Sequence, residues 1–513
     1  MNLEDYYKKR NELLKSSITK QIYTHLKDII VFLIIGILTF IFLLKSPLHP
    51  WIGSEVFTDS SVFKTIALMM EQGYMPYKDS FDHKGPLLYI INWLGNRISS
   101  YRGVWVLEFI FMTCNFFVIY KIARLSCKKG SAFIVMLISS SLLWQYYEGG
   151  NLVEEYAMVF IAMAIFIFID YFKNNKISRA RVIISGLCLG CTLLLRPNMI
   201  AVWGIFCIAI LVELLYKGEK TKLKSYIIWF TLGWAMVVVP IFIWLILNNA
   251  FSQFWEDYIV FNELYISKDS GTAIFTNKWN AFFFFCNTPV HLIAFCSIVY
   301  HCSNRVMLNY EYLLYMIATL LLICLSGKTY GHYGMILIPA FSYPLSLIFQ
   351  DIENIENKNV SQSLLLIVCV YVLNANILPN WMDMVKAMVP IYINRGQNHI
   401  SDEVKTIVNI IDNNTDADDV ISVYGNWNII YVLSNRKHAT RYSYQFPIGK
   451  VMPGIMAEYI IQMQQELPQI VVIDTNYQDD NIMDFLHSYQ YDLVYPEKVD
   501  DIKRGLVYMK GLE

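Results

Sequence analysis

Asp59 and the run Lys78-Asp79-Ser80-Phe81-Asp82-His83-Lys84-Gly85-Pro86 set carboxylates, an imidazole and an ammonium between apolar segments. Charged groups beside lipid are costly to keep, so their presence there points to function. A carboxylate can take the proton of an attacking hydroxyl, and a lysine can neutralise a phosphate as a point charge. Asp59 opens a helix-like stretch, Ser60–Gln72, closed by Gly73. Aspartate also caps helices, and the two roles are compatible because helix starts sit beside anions. Asp82 and His83 could bind a divalent cation, Mg or Mn, or orient Lys84; the plain alternative is a solvated turn. Tyr77, Phe81 and Tyr89 flank the run, which suits a membrane face better than open solvent.

Three further clusters carry similar groups. Asn151, Glu154 and Glu155 lie in Tyr147-Glu148-Gly149-Gly150-Asn151-Leu152-Val153-Glu154-Glu155-Tyr156, with Asn151 and Glu155 one helical turn apart and Glu155 the deeper acid. Arg196-Pro197-Asn198 ends an apolar segment, where an arginine can hold phosphate or snorkel to headgroups. Lys328-Thr329-Tyr330-Gly331-His332-Tyr333 opens another, with Lys328 and His332 four apart. An acid with phosphate-binding cations on one membrane face suits transfer chemistry on a lipid phosphate. The acid activates an acceptor hydroxyl, and the cations take up charge on the departing phosphate.

The elements that must position these groups are membrane helices. The chain has 513 residues, 56% hydrophobic and only 16% charged, against about 25% charged in soluble domains. A net charge of -1 gives no reason to expect nucleic acid as a partner. Apolar segments long enough to cross a bilayer fall near 29–45, 103–122, 131–147, 153–172, 182–196, 199–216, 226–247, 281–301, 311–326, 332–349 and 362–378, eleven spans in all. Basic clusters at the N-terminus and near 125, 177 and 220 share one side only if Gly85–Ile98 lies in the interface as an amphipathic helix. The N-terminus is then cytoplasmic, and the 45–102 loop, the 248–280 loop and the chain after about 379 are outside. The expected organisation is an N-terminal segment over 1–28, a transmembrane domain over 29–378, a connector over 379–399 and an α/β domain over 400–513. In the last, Val420–Tyr424 and Gln469–Asp474 read as strands, and Asp402–Asn413, Met456–Gln465 and Asn481–His487 as helices. All ten cysteines precede residue 400, so that domain cannot be stapled by disulfides. Cys188 and Cys191 form a C-x-x-C inside an apolar helix without a second pair, and read as packing.

Together these motifs resemble the GT-C superfamily of polyprenyl-phosphate-sugar glycosyltransferases, and within it protein O-mannosyltransferases and the aminoarabinose transferase of lipid A. The resemblance rests on Thr58-Asp59-Ser60, Gly73…Pro76-Tyr77…Asp82-His83-Lys84-Gly85-Pro86-Leu87, Asn151…Glu154-Glu155-Tyr156, Arg196-Pro197-Asn198 and His332-Tyr333. It implies a GT-C-like polytopic fold of about eleven spans and an inverting transferase in a bacterial plasma membrane. Such an enzyme moves sugar from a polyprenyl-phosphate donor to a cell-envelope glycopolymer, lipid or protein. Asp59 would be the base, Lys84, Arg196 and Lys328 would hold donor phosphate, and Tyr77, Asp82, His83, Asn151, Glu154, Glu155, His332 and Tyr333 would shape the site. Two departures leave a metal ion as an open alternative: Ser60 stands where many relatives carry a second acid, and His83 where some carry glutamate. A multi-pass transporter or lipid flippase is the main rival reading, and a non-catalytic scaffold for wall assembly a third.

Overall fold

The computed structural model describes residues 26–51, 55, 58–174, 178–267, 272–374, scattered positions between 378 and 393, 400–496 and 504–511. A helical bundle is followed by a small α/β unit. Among the described residues, five helices are long and apolar enough to cross a membrane: Leu26–Lys45, Gly103–Ala123, Val153–Asn174, Lys220–Leu247 and Met307–Cys324. Two bent pairs, Thr276–Cys286 with Pro289–Cys302 and Gly331–Ala340 with Ser342–Glu353, raise the number to seven if each is one span. The eleven spans expected from sequence are not reached on this measure. The segment expected at 131–147 forms Lys129–Ser141 followed by Leu143–Tyr146, and those at 182–196 and 199–216 form Arg179–Leu193 and Ala201–Tyr216 of 15 and 16 residues. At about 1.5 Å per residue the last two are shorter than a hydrocarbon core about 30 Å thick. The expected connector lies mostly outside the described residues.

Small residues allow a close helix contact. Arg179–Leu193 lies against Lys220–Leu247 so tightly that a Cβ on Gly186 would sit 2.0 Å from the Phe230 carbonyl, and one on Gly233 2.0 Å from that of Ile183. Membrane helices gain by such backbone approach because lipid offers no hydrophobic drive for association. At one end of the bundle the polar groups bind one another: Lys121 to Asp28 at 3.1 Å, Lys173 to Ser126 at 2.7 Å, and the Lys128 N–H to Glu353 at 3.0 Å. The basic clusters near 125 and 177 therefore share an end.

Two helices that cannot span carry the other end. Pro86–Ile98, the helix expected in the interface, starts at a proline, whose missing N–H costs nothing at a helix start. Thr58–Glu71 begins one residue before Asp59, so Asp59 occupies its first turn instead of capping it. Gly73 then turns the chain with φ +90°.

The C-terminal unit holds a five-stranded sheet of β1 (Val420–Tyr424), β2 (Lys437–His438), β3 (Ile470–Asp474), β4 (Tyr491–Tyr495) and β5 (Gly505–Lys510), in the order β2-β1-β3-β5-β4. β1 runs parallel to both β2 and β3, whereas β5 is antiparallel to β3 and β4. β3 is buried along its whole length, as its continuous apolar run predicts for a strand covered on both faces. Helices Asp402–Asn414, Gly454–Glu466 and Asp480–Ser488 match the expected ones to within two residues at each end. Ile407, Ile411, Val423, Ile430, Val472 and Val507 form one core, which also takes in Leu48, Val104 and Trp105 of the bundle. The two parts thus pack through apolar side chains.

Candidate active site

A cavity of about 670 Å³ opens where the Thr58–Glu71 helix, the 82–84 turn, the 147–152 turn, the 330–333 turn and the C-terminal unit meet. Asp59, Asp82, His83, Lys84, His332 and Tyr333 line it, together with Lys45, Glu148, Tyr265, Asn426 and Tyr444. Residues far apart in sequence and of the expected types therefore border one space.

The backbone around Lys84 is held on both sides. The Tyr77 hydroxyl donates to the Lys84 carbonyl at 2.8 Å, and the Tyr89 oxygen lies 3.2 Å from that carbonyl. The Gly85 N–H donates to the Leu195 carbonyl at 3.1 Å. A Cβ on Gly85 would lie 2.0 Å from the Leu194 carbonyl oxygen, so only glycine permits this approach. The side chain of Asn262 holds the His83 carbonyl at 2.8 Å.

Asp82 is buried, and both of its oxygens are occupied. Tyr89 donates to Oδ2 at 2.8 Å, while Tyr444 and the His83 N–H each donate to Oδ1 at 2.8 Å. Burial pushes its carboxyl above the usual range, although Lys84 and these donors work against that. Burial, then Lys84 and Arg196, push His83 well below the ordinary imidazole range. Its Nε2 accepts from the Lys84 ammonium at 2.7 Å, and its Nδ1 stands 3.4 Å from Asp82. Each Asp82 oxygen accepts at least one hydrogen bond, His83 faces an ammonium, and among the described residues no three His, Cys, Asp or Glu converge as metal ligands. The contact with His83 orients Lys84.

Several expected residues stand behind the cavity wall. Asn151 is fully buried, outside any helix, with φ +58°. The helix starts only at Val153, so the one-turn spacing to Glu155 puts nothing on a shared face. Asn151 is instead a hub. It donates to Ser60 Oγ at 2.9 Å and to Asn92 Oδ1 at 2.8 Å, and accepts from Tyr156 at 2.8 Å. Through Ser60 it fixes the helix start that carries Asp59. Glu155 is also buried and takes the Leu152 N–H at 3.0 Å. It abuts Glu108, which accepts from Asn151 N–H at 2.5 Å, Ser46 at 3.1 Å and Tyr147 at 3.3 Å. Glu154 binds Arg196 at 2.6 Å, and the guanidinium lies 4.2 Å from the centre of the Tyr333 ring. Arg196 therefore supports a lining residue without bordering the cavity. Tyr77 is wholly buried. Lys328 precedes the helical turn that begins at Gly331, so it shares no helical face with His332; its ammonium lies over the lining ring of Tyr265 at 5.9 Å.

The acid that does face the cavity from this stretch is Glu148, because Gly149 (φ +90°), Gly150 (φ +80°) and Asn151 turn the chain before the helix begins. It pairs with His332 Nδ1 at 2.5 Å and accepts the Gly331 N–H at 2.8 Å. Burial raises its carboxyl, but these bonds outweigh it and the net shift is downward. Lys45, whose ammonium donates to the Trp144 carbonyl at 2.5 Å, and Tyr444 complete the additions that sequence reasoning missed. Glu108 carried a readable signal, an acid inside an apolar run; Tyr444 carried none.

This arrangement shares its fold with solved structures of low sequence identity. ArnT from Cupriavidus metallidurans, crystallised with undecaprenyl phosphate, superposes with a TM-score of 0.60 over 94% of this chain and 99% of that one, at 12% identity. Its apo form gives 0.57 over 94% and 99%, at 11% identity. The Archaeoglobus fulgidus oligosaccharyltransferase, in complex with Zn and sulfate, gives 0.54 over 93% of this chain and 72% of that one, at 13% identity. No curated protein matches the sequence significantly. Residues 16–373 match the family described as "Putative competence-induced protein Ccs4 N-terminal domain", and the chain belongs to that family.

Proposed function

We propose that this chain is an inverting glycosyltransferase that moves a sugar from a polyprenyl-phosphate donor to an acceptor of the cell envelope. One observation carries the reading: Asp59 and Lys84, the acid and the cation, border the same cavity. The fold shared with ArnT, whose crystal contained undecaprenyl phosphate, supports a lipid phosphate as the donor's anchor. Asp59 takes the proton of the acceptor hydroxyl as that oxygen attacks the anomeric carbon. The bond from carbon to phosphate oxygen breaks, and Lys84 receives the charge left on the phosphate. Asp82 and His83 hold Lys84, Glu154 and Arg196 hold Tyr333, Glu148 holds His332, and Lys328 stands at the rim. The active site and the C-terminal unit face outward from a bacterial plasma membrane, and the N-terminus is cytoplasmic. The gathering of the basic clusters at the other end supports this orientation. Transfer from purified labelled donor lipid, compared between wild type and Asp59→Asn, tests the base; undiminished transfer by the variant would refute it.

A further inference from the structure

The turn that carries Lys84 is not held by the bundle alone. Tyr77 has φ +68°, a left-handed backbone that a bulky aromatic residue adopts only under constraint. Its N–H donates to the Ser80 carbonyl at 2.8 Å and its hydroxyl to Lys84, which closes the turn from within. Its carbonyl is taken by Arg441, from the segment that follows β2, at 2.8 Å. Arg441 also binds Asp257 at 2.5 Å, so one guanidinium ties the C-terminal unit, the turn and the 255–260 segment together. A planar cation with several fixed donors suits such a three-way junction, and a lysine could not reproduce it.

The same C-terminal segment also holds Ser80, Phe81 and Asp82. His438 Nε2 lies 2.9 Å from Ser80 Oγ, and its Nδ1 lies 2.5 Å from the Thr440 carbonyl. With the Nδ1 proton on that carbonyl, Nε2 accepts from Ser80. The Phe81 N–H donates to the Arg441 carbonyl at 2.7 Å, and the Phe81 ring packs at 5.5 Å from both the Arg441 guanidinium and the Tyr442 ring. Tyr444 then reaches Asp82 at 2.8 Å. The partners of residues 77, 80, 81 and 82 thus come in order from 441, 438, 441 and 444.

We propose that the 438–444 segment is an interdomain clamp, in which Arg441 is the positioning residue that holds the strained Tyr77 turn and so sets Lys84 in the cavity. The C-terminal unit is then a working part of the site, and the site is assembled only when that unit is docked. This rests on the assignment of Lys84 as the phosphate ligand.

Amide hydrogen exchange and undecaprenyl-phosphate affinity, measured together on the full chain in detergent, test it. Arg441→Ala should speed exchange across residues 77–82 at least tenfold and weaken affinity about tenfold, the size expected for a lost charge-assisted bond. Exchange in β1 and β3 should stay within twofold. Arg441→Lys should recover part of both effects, and Tyr444→Phe, which removes one hydroxyl, should loosen residue 82 more than residue 77. Unchanged exchange at 77–82 in Arg441→Ala would overturn the clamp, as would equal loosening of the sheet, which marks a general structural role. Should Arg441→Ala not fold, Arg441→Lys and Tyr444→Phe decide by the same exchange criterion. Lys84→Ala separates the two readings. If that variant still binds undecaprenyl phosphate, the phosphate assignment falls, while the exchange pattern continues to judge the clamp.

Discussion

Asn151→Ala should be among the most damaging substitutions outside the cavity. The side chain takes part in four hydrogen bonds: to Ser60 at 2.9 Å, to Asn92 at 2.8 Å, from Asn92 at 3.2 Å and from Tyr156 at 2.8 Å. At about 1 kcal/mol net each these contribute about 4 kcal/mol, with more to lose because the partners stay buried. The backbone adds a second cost, since φ is +58° and alanine tolerates that region about 1 kcal/mol worse than asparagine. The expected loss is about 5 kcal/mol for Asn151→Ala and about 4 kcal/mol for Asn151→Gly, which keeps the backbone at ease. Denaturant titration in detergent, followed by tyrosine and tryptophan fluorescence, measures both. Because Ser60 neighbours Asp59, transfer by the surviving folded fraction should also drop at least tenfold. A loss below about 2 kcal/mol in both variants, or full transfer, would refute the hub.

Three further outcomes are expected. Lys84→Ala should abolish measurable undecaprenyl-phosphate binding with little change in thermal stability, as judged by a lipid-binding titration beside a melting curve. Gly85→Ala should cost about 3 kcal/mol through a backbone collision with Leu194 and impair binding as well, read by the same pair of measurements. His438 has its pKa lowered from 6.5 to about 4, chiefly by burial. The unfolded chain therefore binds more protons in that window, and stability is complete above pH 6.5 and lost as pH falls toward 4. The contribution is about 3 kcal/mol, and His438→Gln should flatten the decline in a pH series of denaturation curves.

Much of the fold could be read from local pattern. The Gly-Pro start of Pro86–Ile98, the buried run of β3 and the helices of the C-terminal unit each follow from residues close in sequence. The candidate site was legible where function needs charge beside apolar segments, as at Asp59, Asp82, His83, Lys84 and His332. It was misread where helical spacing was assumed across a turn. The left-handed residues 149–151 end that periodicity, so Glu148 faces the cavity while Glu155 turns toward Glu108. The pairing of Arg196 with Glu154 had no local signal because the two lie 42 positions apart. Tyr444 and Arg441 could not be found at all, since the residues they hold lie more than 180 positions away and nothing local marks the contact.

The most direct test supplies the purified chain with a panel of labelled polyprenyl-phosphate sugars and envelope acceptors and follows label leaving the lipid. Wild type should release the sugar from one donor to an acceptor with inverted anomeric configuration, and Asp59→Asn should slow this at least about hundredfold. Transfer by Asp59→Asn at the wild-type rate, or a product with retained configuration, would contradict the account.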